Sequence, residues 1–401
     1  MLSYSQALEI VAGLRCEFTP VRIRLSEGLG RVLARPLSAT IPSPPFTNAA
    51  MDGFAVRADT VRTGAPLHVA GTAFAGKTSG EADRDPGPQS CIRIMTGAPV
   101  PAWANAVIPV ENSAPAGTSS VVFMDEVTPG QHIRKLGEDI AEGAVILEQN
   151  TRLTPETLMM AAAFGHAEVD VFSQPQVVIV STGDELRPPG TKLDPGEIFN
   201  SSEYFLAAAA SSAGLKNVSK LHLADRPAEA EAALANTLDA AQRQNTGVML
   251  ITTGAVSAGA KDFVPEVALQ LGFEPMFHKV AIRPGKPIFT AKKGRHIWLG
   301  LPGNPISTAA TWHYFGRPLL ASWAGIPVPQ KVAMTVTTEV RKPEGLRCFF
   351  RARHEGGQVT VLKGQGSAHF RASASANAYV ELPESVGVIS AGSIVEGLLI
   401  N

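Results

Sequence analysis

The sequence predicts an α/β multidomain protein built around a central, mostly parallel, three-layer α/β domain. Two observations carry that expectation. Between about residues 175 and 325, short apolar runs (QVVIVS, VSKLHLA, GVMLIT, HIWLG) alternate with longer helical patterns (NSSEYFLAAAASSAG, PAEAEAALANTLDAAQ, DFVPEVALQLG). Those runs are near-continuously apolar, as strands buried on both faces require. A third observation separates the flanks. Residues 53–130 are short alternating runs divided by Gly/Pro turns, and the tail from about Pro327 holds five short strands (KVAMTVTTEV, RCFFRARH, QVTVLK, AYVELP, SIVEGLLI). Regular, turn-separated strands of this kind suggest a small β domain and a small barrel.

Taken in order, the N-terminus reads as helix. Ser3 and Gln6 have capping-box spacing, and Ala7, Leu8, Val11 and Leu14 recur at helical intervals. Prolines and small residues in IPSPPFTNAAMDGFAV mark a boundary near residues 42–47. Helical signal returns at Thr154-Pro155, an N-cap with Pro at the first helical position, and runs to a stop at Gly165. Asn200 and Glu203 repeat capping-box spacing, and Gly214 closes that helix. The expected domains are an elongated helical N-terminal/linker domain (1–45 and 131–174), an inserted β domain (46–130), the α/β domain (175–326) and a C-terminal β-barrel (327–401).

Composition narrows the function. The chain has 401 residues, 45% apolar and 18% charged, with a net charge of −1. Near-neutrality with 6% aromatics argues against general nucleic-acid binding, which needs a basic footprint. Cys16, Cys91 and Cys348 lie far apart, so neither a CxxC site nor a disulfide framework is expected. Nine scattered histidines without HxxxH or HExxH argue against zinc. No apolar run approaches about 18 residues, and MLSYSQALEI lacks a secretory pattern. A soluble, cytoplasmic protein is the expectation.

Ligands of open α/β sheets bind beyond the carboxyl ends of the strands. Five turn-rich loops fall there: Ser181–Leu186, Asp225–Pro227, Thr252–Gly259, Arg283–Pro287 and Leu301–Pro305. Glycines let backbone N–H groups approach an anion, and hydroxyls add donors. Lys279, Arg283 and Lys286 supply cations. Glu185, Asp225 and Asp262 supply carboxylates able to share a divalent ion with phosphates. Each piece also has a plain reading: Glu185 and Asp262 as capping or solvated residues, Asp225 as the N-cap of the next helix. The RPGKP loop, two cations between prolines, points most firmly to an oxyanion.

These residues resemble the bacterial molybdopterin molybdenumtransferases over essentially the whole chain. The resemblance rests on Asn48-Ala49-Ala50-Met51-Asp52-Gly53-Phe54-Ala55, Arg93-Ile94-Met95-Thr96-Gly97-Ala98, Gly137-Glu138-Asp139-Ile140, Ser181 to Leu186, Thr253 to Phe263, Arg283 to Pro287 and Gly300 to Pro305. It implies four domains and an elongated homodimer with its active site between the α/β domain of one subunit and the MDG-bearing domain of the other. The implied reaction takes adenylylated molybdopterin and molybdate to molybdenum cofactor and AMP, with Mg2+ assisting. Contact with the molybdopterin adenylyltransferase is also implied. By the same resemblance, catalytic roles fall to Asp52, Thr96, Asp139, Glu185, Asp225 and Asp262. Metal binding falls to Glu185, Asp225 and Asp262. Substrate binding falls to Gly254, Ser257, Lys279, Arg283, Lys286, Pro302, Asn304, Arg351 and Ser367.

The chain departs from the family pattern in places. Arg283 stands where many members have Lys, Ala255 where Gly is usual, and Asn200-Ser201-Ser202 replaces a common Asp-Ser/Thr-Asn. Ala368 and Ala372 occupy positions where serines are common. Two other functions share this α/β domain type: a pterin adenylyltransferase and a non-catalytic scaffold. The MDG insertion and the barrel argue against the first. Retention of Asp52, Glu185, Asp225 and Asp262 argues against the second.

Overall fold

A computed structural model describes residues 1–14, 19–76, 83–257, 262–324, 330–366 and 368–400. Cys16, Ser367, residues 258–261 of the Gly-rich loop and the 325–329 junction lie outside the described residues. The chain forms two compact units. One comprises Met1–Val21, Leu29–Ala34 and Asp170–Asn401, and the other Arg22–Gly28 and Arg35–Val169.

The first unit holds a six-stranded sheet of β1 (Gln176–Thr182), β2 (Val218–Leu223), β3 (Val248–Thr253), β4 (Glu274–His278), β5 (Phe289–Lys293) and β6 (His296–Leu301). Their order is β2-β1-β3-β6-β5-β4. The first four are mutually parallel, and β5 runs antiparallel between β6 and β4. The central strands β1, β3 and β6 are buried along nearly their whole length because alternate side chains enter different cores, while β2 and β4 at the edges carry polar residues. Val177, Ile179, Met249, Ile251, Ile297 and Leu299 face one, while Val178, Val180, Val248, Leu250 and Trp298 face the other. Full burial of each such side chain contributes about 1.5–3 kcal/mol.

Helices cover both faces. α1 (Ser201–Ser212), α4 (Pro305–Thr311) and α5 (Arg317–Ala324) lie on the first face through Leu206, Ala210, Ala310, Leu319 and Leu320. α2 (Pro227–Arg243) and α3 (Val264–Gln270) lie on the second through Ala230, Leu234, Leu238, Val264 and Val267. The N-terminal helix Tyr4–Gly13 has the expected Ser3–Gln6 capping box, and its Tyr4, Ala7 and Val11 enter the first core. Two capping expectations change. The N-cap of α2 is Arg226, not Asp225, and that of α3 is Phe263, not Asp262; neither cap residue makes a side-chain capping bond. In each case the helix begins one residue later, with Pro in its first turn, so the carboxylate precedes the cap.

The tail closes into a barrel. β7 (Lys331–Val336), β8 (Arg347–Glu355), β9 (Gln358–Val361), β10 (Ala378–Leu382) and β11 (Ile394–Leu399) are ordered β8-β9-β7-β11-β10, and β10 pairs again with β8. The predicted KVAMTVTTEV strand breaks after Val336, and Val340–Arg341 pairs with Val388–Ile389. Met334, Val336, Cys348, Phe350, Ala352, Val380 and Val395 fill the interior. Ile282–Arg283 adds to the outside of the barrel, parallel to β8, with Arg283 opposite Cys348.

The second unit centres on a six-stranded sheet ordered Ala106–Pro109, Gly53–Val56, Ser90–Ile94, Pro66–Ala73, Ser120–Phe123 and Ser113–Pro115. Alternation again splits two cores, with Phe54, Val56, Cys91, Ile108 and Phe123 on one side and Ala55, Ile92, Ile94 and Val107 on the other. The helix Pro155–Ala163 carries the expected Thr154 cap, paired reciprocally with Thr157. Among the described residues, no helix is long and apolar enough to cross a membrane.

Candidate active site

Four adjacent parallel strands end on one edge of the sheet, and their loops build a pocket of about 400 Å³. β1 and β3 straddle the point where strand order reverses, because the chain moves from β1 to β2 on one side and then to β3 on the other. That is where open α/β sheets leave a crevice. Thr182 ends β1 and Gly183 follows it, Asp225 follows β2, Thr253 ends β3 with Gly254 and Ala255 after it, and Gly303 to Pro305 follow β6; all line the pocket.

Glycines make the floor. A Cβ on Gly254 would sit 2.8 Å from Thr182 Oγ1, and one on Gly303 would sit 3.2 Å from the Gly254 Cα. Two backbones therefore cross in near contact. Gly254 also lies at φ +91, a conformation that favours glycine. Ala255 follows at φ +52, in the left-handed region, which costs a residue with a Cβ roughly 1–2 kcal/mol. Behind this loop, His278 Nε2 donates to the Val256 carbonyl at 2.7 Å and ties the loop to β4. Thr182 Oγ1 donates to the Thr253 carbonyl at 3.1 Å, joining two of the strand tips.

Three carboxylates face this floor. Glu185, Asp225 and Asp262 all line the pocket, as do Gly254 and Asn304. Glu185 folds back so that its carboxylate oxygens lie 2.7 Å from where a Gly183 Cβ would be, and Gly183 itself lies at φ +141, a conformation that favours glycine. Asn304 caps α4, its Oδ1 accepting from the Ile306 and Ser307 amides at 3.0 and 3.4 Å. Pro302 holds the same turn, its carbonyl accepting from Thr308 Oγ1 at 2.7 Å. Ser257 is exposed at the last described position before residues 258–261.

Four of the five expected loops supply described lining residues of this pocket. Lys279, Arg283 and Lys286 are not among the residues lining this pocket. The RPGKP loop belongs to the connection from β4 to β5, and β5 pairs directly with β6. Arg283 lines a second cavity of about 320 Å³ beside the barrel, with Thr338, Glu339, Arg341, Phe350 and Gln365. Gly285, at φ +101, packs so closely on Thr311 that a Cβ would approach its methyl to 2.2 Å. Arg351, 2% exposed, donates to the carbonyls of His369, Gly364 and Gly366 and to Ser373 Oγ. Its guanidinium thus ties Gly364, Gly366 and His369 to the barrel strand β8.

In the second unit, Asp52 and Thr96 meet. Thr96 donates to Asp52 Oδ1 from its amide at 2.7 Å and its hydroxyl at 2.6 Å. The adjoining Gly53 is obligatory, since a Cβ there would lie 1.9 Å from the Ile108 carbonyl oxygen on the neighbouring strand. Asp139 is exposed, and its amide donates to the Ser43 carbonyl at 3.0 Å, folding the GEDI turn onto the proline-rich run.

Comparison with known proteins places this architecture. Residues 2–165 match the MoeA N-terminal region (domain I and II), residues 178–322 the probable molybdopterin binding domain, and residues 333–400 the MoeA C-terminal region (domain IV). The chain is 37% identical to the molybdopterin molybdenumtransferase of Synechococcus elongatus, covering 99% of each chain. It is 35% identical to molybdopterin molybdenumtransferase 2 of Mycobacterium tuberculosis, covering 98% of each. The chain belongs to the molybdopterin molybdenumtransferase family. A crystal structure of the molybdopterin biosynthesis moeA protein from Pyrococcus horikoshii superposes with a TM-score of 0.78 at 26% identity, covering 100% of each chain.

Within this molybdenumtransferase family member, the pocket also uses Ile198 and Phe199, which no sequence signal placed at a ligand site. Thr182, Gly183 and Gly303 form its floor, and Leu186, Ile198 and Phe199 form one wall. The glycines carry a signal, since each lies within two residues of the end of an apolar strand. The apolar wall carries none, because Phe199 lies in a loop-like stretch with no periodicity.

Proposed function

We propose that this protein inserts molybdenum into molybdopterin, taking adenylylated molybdopterin and molybdate as substrates and releasing AMP. The observation that carries the reading is the glycine-floored pocket at the strand-order reversal, ringed by Glu185, Asp225 and Asp262. A glycine floor exposes backbone N–H groups to phosphate oxygens, and carboxylates on the wall suit a hard cation.

The donor set fits Mg2+. All three acidic groups offer oxygen. Among the described residues, no three His, Cys, Asp or Glu side chains form a metal-holding group. Mg2+ retains waters and is bound by one or two carboxylates together with substrate phosphates, so a preformed cage is not needed. Glu185, Asp225 and Asp262 are the residues that would hold it. When bound, it neutralises charge on the phosphoanhydride. The chain's own part is positioning. Gly183, Gly254 and Gly303 admit the phosphates, and His278 fixes the loop that cradles them. Arg283 and Lys286 offer an oxyanion a separate, cationic seat for molybdate.

The same reading includes a homodimer, acting in the cytoplasm and receiving its substrate from the adenylyltransferase. Light scattering on the purified protein should then give twice the chain mass of 42.2 kDa.

The test supplies adenylylated molybdopterin, molybdate and Mg2+, and measures AMP release together with molybdenum retained on the pterin. Asp262→Asn should slow AMP release by about tenfold or more, equivalent to ~1.4 kcal/mol of barrier. Failure of the parent protein to release AMP, or adenylylation of free molybdopterin from Mg-ATP instead, would sink the reading.

A further inference from the structure

We infer that Phe199, with Ile198 beside it, is a stacking shelf for the flat heteroaromatic ring of a phosphate-bearing ligand in the β1/β3 pocket. The inference rests on the proposed function for the presence of such a ligand. The assignment of the ring's seat rests on the pocket itself.

The pocket is otherwise built from hydroxyls, carboxylates, glycines and small side chains. Among its described lining residues, Phe199 is the one aromatic, and Leu186, Ile198 and Phe199 are the large apolar groups. Ile198 is 52% exposed and Phe199 42% exposed. Apolar surface left open on the wall of a polar pocket is stabilised when an apolar ligand face covers it.

The shelf is held in place. Leu186–Arg187 and Ile198–Phe199 form a short parallel ladder. The Ile198 amide donates to the Glu185 carbonyl and the Asn200 amide to the Arg187 carbonyl, each at 2.9 Å, so Phe199 is clamped on both sides. Arg187 pairs with Glu197, and buried Asn200 donates to Ser181 Oγ at 2.9 Å. The Phe199 backbone is thereby fixed to the segment that carries the pocket carboxylate Glu185. A ligand with its phosphate on the glycine floor and its ring on Phe199 satisfies both ends of the pocket. Adenine and pterin share that ring chemistry.

The experiment measures binding of AMP, ribose 5-phosphate and molybdopterin to the parent, Phe199→Ala and Phe199→Tyr proteins by calorimetry. Loss of a stacked ring should weaken the ring-bearing ligand about 5- to 100-fold in Phe199→Ala. Ribose 5-phosphate affinity should stay unchanged, and Phe199→Tyr should restore binding. Selective loss for AMP makes the ring adenine, and selective loss for molybdopterin makes it the pterin. If Phe199→Ala leaves both unchanged, or weakens ribose 5-phosphate equally, the shelf does not exist. Because Phe199 is exposed, the melting temperature should not move, and it serves as the folding control. AMP release by the parent, measured on the same preparation, reports on the proposed function separately from this comparison.

Discussion

Thr96 donates twice to one oxygen of Asp52, from a position 44 residues away in sequence. The two segments meet because Gly53–Val56 and Ser90–Ile94 are neighbouring antiparallel strands, with Gly53 opposite Ile94. The hydroxyl, then the amide, favour the ionised carboxylate and hold Asp52 below its ordinary range. Thr96→Val keeps the amide and removes the hydroxyl. Asp52 should then titrate at higher pH, closer to an ordinary aspartate, as read from its carboxyl carbon by NMR. If Asp52 acts as a carboxylate in turnover, the acid limb of the pH–rate profile shifts upward with it. An unmoved carboxyl titration would show that the hydroxyl bond has no influence.

The crossing of Gly254 and Gly303 makes a second prediction. Gly303→Ala should force the two loops apart, destabilising the protein by about 1–3 kcal/mol and weakening AMP binding. Gly254→Ala should cost more, because it adds left-handed strain to a 2.8 Å clash with Thr182 Oγ1. Urea unfolding and calorimetry measure both effects. Unchanged AMP affinity in a folded Gly303→Ala protein would remove this crossing from the binding site.

His313 provides a pH dependence. It packs edge-on against Phe205 and tilted against Tyr379, and its Nδ1 makes no hydrogen bond among the described residues. Burial, and then the charge of Arg317, push its imidazole down to about 4 from 6.5. The unfolded chain therefore binds the extra proton first, and stability falls as pH drops from about 6.5 towards 4. The expected loss from this group is about 2 kcal/mol at pH 5 relative to pH 7. His313→Gln should lose less stability over the same interval in urea titrations. An identical pH dependence in the two proteins would show that His313 does not titrate in this window.

Much of the α/β domain is legible from local pattern. VVIV, VMLI and the IWL run are apolar at every position because each strand feeds two cores, and that requirement is written residue by residue. Ser3 with Gln6, and Thr154 with Pro155, mark helix starts for the same reason, since a cap is a contact across three residues. The loops after β1, β2, β3 and β6 could be assigned to one edge because parallel strands with helical crossovers carry a direction.

What the sequence determined by itself is therefore local: periodicity, caps, glycine turns and the carboxylates that follow apolar runs. The tertiary structure decided which of those meet. Arg283, in the connection from β4 to β5, lines a cavity beside the barrel, while Glu185, Asp225 and Asp262 line the pocket at the strand-order reversal. Arg351 is turned inward onto Gly364, Gly366 and His369, although the FFRAR run alone leaves its direction open. Asp225 and Asp262 lie one residue before the caps that helical spacing would assign to them. Phe199 becomes a pocket wall only because a two-residue ladder binds it to the segment after Glu185. The physical reason is the same in each case. Propensity and capping act over a few residues, whereas strand order and loop crossing depend on partners tens to hundreds of residues away, whose identity no local window contains.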